Sequence, residues 1–172
     1  MKNLKLLIIL ILFSFKIQAQ KIENITLQSV TDNSTFRLSE SKGKYVALHF
    51  LLKTECPYCI RHTSEYFEKA KSLPNVIQVF IKPDEEKEIK EWTSKLNLSN
   101  SLPIYQDKNA QLANQLNIPF GYSFHGQIVH YPALILLNEQ GIEVFRYIGK
   151  NNTDRFSFEN LKAKIEALSN SK

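Results

Sequence analysis

An α/β fold, with a mixed central sheet flanked by helices and a small N-terminal β-hairpin extension, is what this 172-residue sequence predicts. Three observations carry that expectation. Residues 45–52 form a nearly continuous apolar run of strand length, as expected for a strand covered on both faces. Short apolar runs then alternate with segments of helical period, the pattern of a sheet with helices packed on it. Near the end, two strand-like runs are joined by the turn-forming Asn138-Glu139-Gln140-Gly141 and followed by one more helical segment.

The elements follow in order. Residues 22–27 and 35–38 alternate apolar and polar positions around the turn-rich Thr31-Asp32-Asn33-Ser34, which gives the opening hairpin. Gly43-Lys44 leads into the apolar strand at 45–52, where His49 reads as a core residue with its hydrogen bonds satisfied. Pro57 suits a first helical turn, and Ile60, Phe67 and Ala70 give the helix predicted over 57–71 its apolar side. A second strand is predicted over 75–81 and a charged amphipathic helix over 84–96, in which Trp92 reads as packing. A short strand at 102–105 and a helix at 109–116 come next. The polar, glycine-containing stretch 119–127 reads as a loop carrying a solvated His125. Residues 129–137 read as one strand, 142–148 as its hairpin partner and 156–168 as the closing helix.

The length suits one domain. Its first twenty residues read as an address, with basic Lys2 and Lys5, an apolar run over 6–15 and a small Ala19 for cleavage. Such a run falls short of the roughly 20 residues that a spanning helix needs. The expected organisation is therefore a signal peptide at 1–20, a folded domain at 21–172, and a periplasmic or secreted mature chain without stable membrane insertion. Removing residues 1–19 takes away three lysines and no acid, so the net charge falls from +5 to +2. A nearly neutral chain with Lys and Arg interleaved among acids offers no basic face for nucleic acid.

The chemistry concentrates in Cys56-Pro57-Tyr58-Cys59. The chain has only two cysteines, three positions apart, where a strand hands over to a helix. A cysteine at a helix N-terminus meets unpaired backbone N–H groups and the positive end of the helix dipole, which favour thiolate over thiol. Cys56, taken as the end nearer solvent, is expected to attack a disulfide sulfur, and Cys59 to resolve the mixed disulfide. Pro57 stiffens the loop, Tyr58 adds bulk beside the sulfur, and Glu55 opposes thiolate formation. A loop staple and a metal site completed by His62 are the competing readings. Ile60 in place of histidine after Cys59 excludes haem attachment.

The apolar strand, the Cys56-Pro57-Tyr58-Cys59 helix start, the Tyr131-Pro132 pair opening a late strand and the 138–141 turn together resemble the thioredoxin-like redoxin superfamily over about residues 22–168. The resemblance is closest to exported thiol-disulfide oxidoreductases and to peroxiredoxin relatives of the AhpC/TSA kind. It implies a thioredoxin-like fold, catalytic Cys56 and Cys59, no cofactor, and partners that are protein thiols or disulfides together with a redox donor or acceptor protein. It also implies a cis bond before Pro132, with Tyr131 and Pro132 binding substrate by main-chain pairing; the alternative is a trans proline on an edge strand. Some exported relatives carry an acid at the place of His62. The resemblance therefore makes His62 a candidate for proton transfer or for a cation favouring the thiolate, against a plain helix-surface histidine. Asp154-Arg155 resembles a family sequence at this position and otherwise reads as a helix cap with local ion pairing.

Departures from the resemblance narrow the activity. Peroxiredoxins carry Pro and Thr or Ser seven and three residues before the reactive cysteine, where this chain has His49 and Lys53, and their arginine near the late strand has no counterpart in this reading. The Gly-Gly and acidic features of a glutathione site are absent as well. The expected function is thiol-disulfide exchange in the cell envelope with antioxidant character; a thiol peroxidase is the alternative, and a copper-binding module a more distant one.

Overall fold

A computed structural model describes residues 22, 24–53, 56–96 and 103–170. The proposed leader, Glu55 and the segment leading into the strand at 102 lie outside these residues. Among the described residues a five-stranded mixed sheet has the order β5-β4-β3-β8-β9, with β3 (Tyr45–Phe50), β4 (Val76–Lys82), β5 (Ile104–Gln106), β8 (Ala133–Leu137) and β9 (Glu143–Ile148). Strand β3 runs parallel to β4 and antiparallel to β8, and all six of its residues are buried.

That central place explains the unbroken apolar run. Tyr45 and Ala47, with Leu51 beyond the strand's end, face a core made with α1 (Pro57–Lys69), α2 (Glu86–Thr93) and α4 (Phe158–Ser169) through Tyr66, Ile89, Trp92, Phe158 and Leu161. Val46, Leu48 and Phe50 face the opposite core. The opening hairpin, β1 (Thr26–Gln28) and β2 (Thr35–Arg37), closes that side through Leu27 and Phe36. Leu112 and Ala113 of α3 (Gln111–Gln115) complete it. The result is a thioredoxin-like α/β sandwich, as the sequence predicts.

Two segments differ from expectation. Residues 119–127, read as a loop, hold β6 (Phe120–Phe124), which pairs antiparallel with β7 (Gln127–His130) across a turn at His125 and Gly126. Their period-two Phe120, Tyr122 and Phe124 is a strand signal, masked by the polar residues between and by the bulge at Gly121. The single strand read over 129–137 is two strands in different sheets. Pro132 has no N–H for a ladder, and the chain changes sheet there. Helix α3 starts later than expected because Asn109 and Ala110 are left-handed, with φ of 57° and 53°. The Asp107 carboxylate compensates by accepting from the Leu112 and Ala113 N–H groups at 2.8 and 2.9 Å.

The strand ends at one edge of the sheet carry the polar load. Lys82, at the end of β4, is fully buried, donates to the Leu52 carbonyl at 2.8 Å, pairs with buried Asp84 at 3.1 Å and lies 4.6 Å from the Trp92 ring centre. Trp92 is thus a packing residue, as expected. Gly149 closes the return from β9, its N–H donating to the Pro132 carbonyl at 2.8 Å. A Cβ there would stand 2.3 Å from the Asp154 carbonyl oxygen and 2.9 Å from the Pro132 ring. Gly149→Ala is therefore expected to cost about 1–3 kcal/mol by overpacking against backbone, read as a lower denaturant midpoint at unchanged slope.

Candidate active site

Strand β3 delivers the chain to Cys56, which takes the N-cap position of α1 with φ −89° and ψ 98°, and Pro57 begins the helix. The Cys59 N–H donates to Cys56 Sγ at 3.1 Å, so sulfur fills the acceptor role that an oxygen plays in most caps. Cys56 and Cys59 form a disulfide with their Cα atoms 5.1 Å apart. Both are buried, which corrects the expectation that Cys56 stands open at the solvent end.

The cover is Arg155. Its Nη2 lies 3.1 Å from Cys59 Sγ and 3.5 Å from Cys56 Sγ, and its Nη1 donates to the carbonyls of Asp154 and Asn151 at 3.1 and 3.4 Å. The 149–156 turn that presents it is knitted from within. Asp154 accepts from the Tyr147 hydroxyl and from the Lys150 N–H, Asn151 accepts from the Thr153 and Asp154 N–H groups, and the Tyr66 hydroxyl of α1 donates to the Phe156 carbonyl at 2.7 Å. Sequence reasoning took Arg155 for a cap partner and found no arginine for the cysteines; the fold brings it 99 residues along the chain to Cys56. Burial pulls the guanidinium down to about 10, against the raising effect of Tyr122 and Asp154. Its Nε has no acceptor among the described residues. A buried cation facing neutral disulfide sulfurs is poorly satisfied, and a thiolate would satisfy it better.

His62 is neither on the helix surface nor cationic. Cys59, His62, Thr63 and Tyr66 form the buried face of α1, and His62 Nε2 lies 3.2 Å from His49 Nδ1. His49 stacks on Phe80, with ring centres 4.6 Å apart, and its Nε2 meets Gln78 Oε1 at 2.7 Å, so it is the satisfied core residue expected. Burial holds both imidazoles neutral, pushing His49 down to about 4 despite the Gln78 hydrogen bond. His62 lies well below its ordinary value through burial, then through His49 and Arg155.

The remaining candidates fall as follows. Pro132 lines a narrow cavity with His62, Leu134, Arg155 and Phe156. The Tyr131–Pro132 bond is trans, against the expected cis bond. The backbone there is already engaged, since the Tyr131 N–H donates to Pro119, the Tyr131 carbonyl meets His130 Nδ1 and the Pro132 carbonyl accepts from Gly149. Main-chain pairing with a peptide thus has no free group to use at this pair in the described arrangement. The Tyr131 ring packs on Tyr122 at 5.2 Å. His125 is exposed at the β6–β7 turn with φ 47°, as a solvated loop histidine should be. Among the described residues no group of three or more His, Cys, Asp or Glu side chains is placed to hold a metal ion.

The sequence model of the AhpC/TSA family matches residues 18–144. No curated protein matches the sequence. Among solved structures, peroxiredoxin 6 of Arenicola marina superimposes with a TM-score of 0.75 at 13% identity, over 88% of this chain and 72% of that one. A PrxQ mutant from Xylella fastidiosa gives 0.68 at 13% identity, over 86% and 90%. A secreted Mycobacterium tuberculosis disulfide oxidoreductase homologous to E. coli DsbE gives 0.58 at 20%, over 83% and 95%. These likenesses show a shared thioredoxin-like fold.

Two expectations follow from the buried charges. Arg155→Met should raise the Cys56 thiol pKa by about one unit or more, since an opposite charge at contact favours the thiolate, and thiolate absorbance against pH measures it. The histidine pair sets an acid limit. Each folded-state pKa lies below the unfolded value, so the unfolded chain binds more protons and stability is lost as pH falls from about 6.5 toward about 4. Denaturation midpoints across that window should fall steadily.

Proposed function

The chain belongs to the AhpC/TSA family, and from that premise, together with the arginine-covered Cys56–Cys59 pair, we propose that it is a thiol-disulfide oxidoreductase acting on protein thiols or disulfides. One observation supports this reading most directly: Arg155 contacts both sulfurs of a dithiol placed at a helix start. In the reduced protein the Cys56 thiolate attacks a partner disulfide, forming one new S–S bond and releasing one partner thiolate. Cys59 then displaces the second partner sulfur, leaving the partner reduced and Cys56–Cys59 oxidised. A redox partner returns the pair to its starting state, and no cofactor enters the exchange.

Arg155 biases the couple. A cation that is better satisfied by thiolate than by disulfide stabilises the reduced form, which makes the pair a stronger oxidant than it would be without the arginine. Access to Cys56 requires the guanidinium to swing aside, so partner docking and charge release are linked. Pro132 is buried beside this cover and half-buried Tyr131 precedes it, so their proposed part in partner binding is to shape the surface there rather than to pair through the main chain. The basic start, apolar run and Ala19 of the leader support work in the cell envelope or outside the cell. No helix among the described residues is long and apolar enough to cross a membrane.

A second reading, thiol peroxidase, is favoured by the same Arg155, because a cation at the sulfurs suits thiolate attack on a peroxide oxygen. There the Cys56 thiolate would take one peroxide oxygen as the O–O bond breaks and the other oxygen leaves as alcohol or water, and Cys59 would then displace water from the sulfenic acid to close the disulfide. Cysteine variants separate the two. Cys56→Ser should abolish insulin reduction with dithiothreitol, and Cys59→Ser should trap partner proteins as mixed disulfides. Equal trapping by both variants would contradict the assigned roles. Rapid peroxide consumption with a sulfenic acid at Cys56 of the Cys59→Ser protein would favour the peroxidase.

A further inference from the structure

Phe120 and Ile128 are the exposed large apolar side chains among the described residues, 62% and 55% accessible, and the β6–β7 hairpin sets both on one face. Phe120 pairs across the ladder with His130. The shift of register after it, at Gly121 with φ 117°, takes it out of step with Tyr122 and Phe124, which pack inward. Ile128 lies two residues before His130 and so on the same side of β7. With Pro83 and Ala110 opposite, these side chains wall a groove of about 210 Å³, which His130, only 2% exposed, closes from beneath. Half-buried Lys53 and exposed Glu85 form its charged rim.

The chemistry of the groove follows from its histidine. A carbonyl can only accept, so the 2.8 Å contact between His130 Nδ1 and the Tyr131 carbonyl places the proton on Nδ1. Burial lowers the imidazole pKa, against the raising effect of that hydrogen bond and of Asp107, so the ring is neutral and Nε2 holds a bare lone pair. Nε2 has no partner among the described residues and is not one of their sealed polar atoms, so it opens on the groove. An apolar slot that ends in one acceptor matches an apolar ring with a donor at its tip, and among side chains that is the phenol of tyrosine. The groove also borders the dithiol. Lys53 precedes Cys56 by three residues, at most about 11 Å of chain. Phe50, whose ring meets His130 edge-on at 6.2 Å, lines the cavity beside Arg155 as well. Resting on the thiol-exchange reading above, we propose that this groove is the recognition subsite of the dithiol and takes a tyrosine side chain that the partner protein carries close to its reactive cysteine. The ring lies between Phe120 and Ile128 on one side and Pro83 and Ala110 on the other, and the hydroxyl donates to His130 Nε2. The opposite charges of Lys53 and Glu85 suit the C=O and N–H groups of the extended segment that bears the tyrosine.

Short peptides test the subsite, each with one cysteine held as its mixed disulfide with 5-thio-2-nitrobenzoate and with Tyr, Phe or Ala three residues away. Release of the coloured thiolate by the reduced protein gives the rate for each. The Tyr peptide should react about fivefold faster than the Phe peptide, the scale of one hydrogen bond, and the Phe peptide faster than the Ala peptide. His130→Phe keeps a ring against Phe50 and loses the acceptor, so it should erase the preference for Tyr over Phe and keep the preference of both over Ala; a merely structural role would lower all three rates together. The paired exposed changes Phe120→Ser and Ile128→Ser should bring all three peptides to the Ala rate. Binding is read without exchange by adding the Tyr peptide, its cysteine replaced by serine, to the oxidised protein and following the His130 ring nitrogens by NMR, where Nε2 should shift with Tyr and not with Phe. Equal rates for the three peptides, or no shift at Nε2, overturn the subsite. Equal rates together with a dimer that the paired serine changes dissociate in sedimentation would give the face to a second copy of this chain instead. Absence of thiolate release from every peptide overturns the exchange reading, whereas the Nε2 shift judges the groove by itself.

Discussion

A guanidinium taken out of water and set against two sulfurs is the constraint around which the rest of this site is arranged. Burying a cation without a carboxylate against it is costly, and the Asn151 and Asp154 carbonyls offset part of that cost by accepting from Nη1, while Nε is left without an acceptor among the described residues. That requirement fixes the 149–156 turn. The turn in turn needs Gly149, where no side chain fits between Asp154 and Pro132, and the Tyr66 hydroxyl, which ties Phe156 to the helix that carries the cysteines.

The same economy appears beneath the site. Strand ends that feed an active-site loop must leave backbone groups unpaired, and the Leu52 carbonyl is one of them; a fully buried Lys82 satisfies it while pairing with Asp84. Burial pulls the lysine down, with Asp84 opposing the shift. Ion pairs of this kind add little net stability, because desolvation offsets attraction, yet breaking one strands a charge. The polar groups near the dithiol are therefore better understood as holding the loop in place than as a source of folding free energy.

Thioredoxin-like architecture accounts for the likeness to peroxiredoxins and to a secreted disulfide oxidoreductase alike, so the fold alone does not choose between their chemistries. What distinguishes this chain lies in the groups around the sulfurs. A lysine and a histidine stand upstream of Cys56 where peroxiredoxins place a small hydroxyl residue and a proline, and the histidine turns inward to meet another on the helix. The β6–β7 hairpin, with its exposed Phe120 and Ile128, adds a surface next to Lys53.

Local pattern was enough to determine the sheet, the four helices and the cysteine pair. Residues 45–52 read as a buried strand because every position is apolar or satisfied, and Pro57 after Cys56 marked a helix start because its missing N–H costs nothing there. Period and capping are properties of neighbouring residues, so the sequence displays them. The β6–β7 hairpin was hidden because its alternation is short and interrupted by a bulge. Arg155 and the His49–His62 pair belong to another class. Nothing near Arg155 in the chain announces a sulfur 99 residues away, and nothing beside His49 announces a partner on a helix. Those contacts exist only when β3, α1 and the turn before α4 converge; burial then holds the histidines neutral, while the guanidinium is basic enough to stay charged although burial pulls it down. The sequence by itself determined which atoms can react; tertiary structure decided what surrounds them.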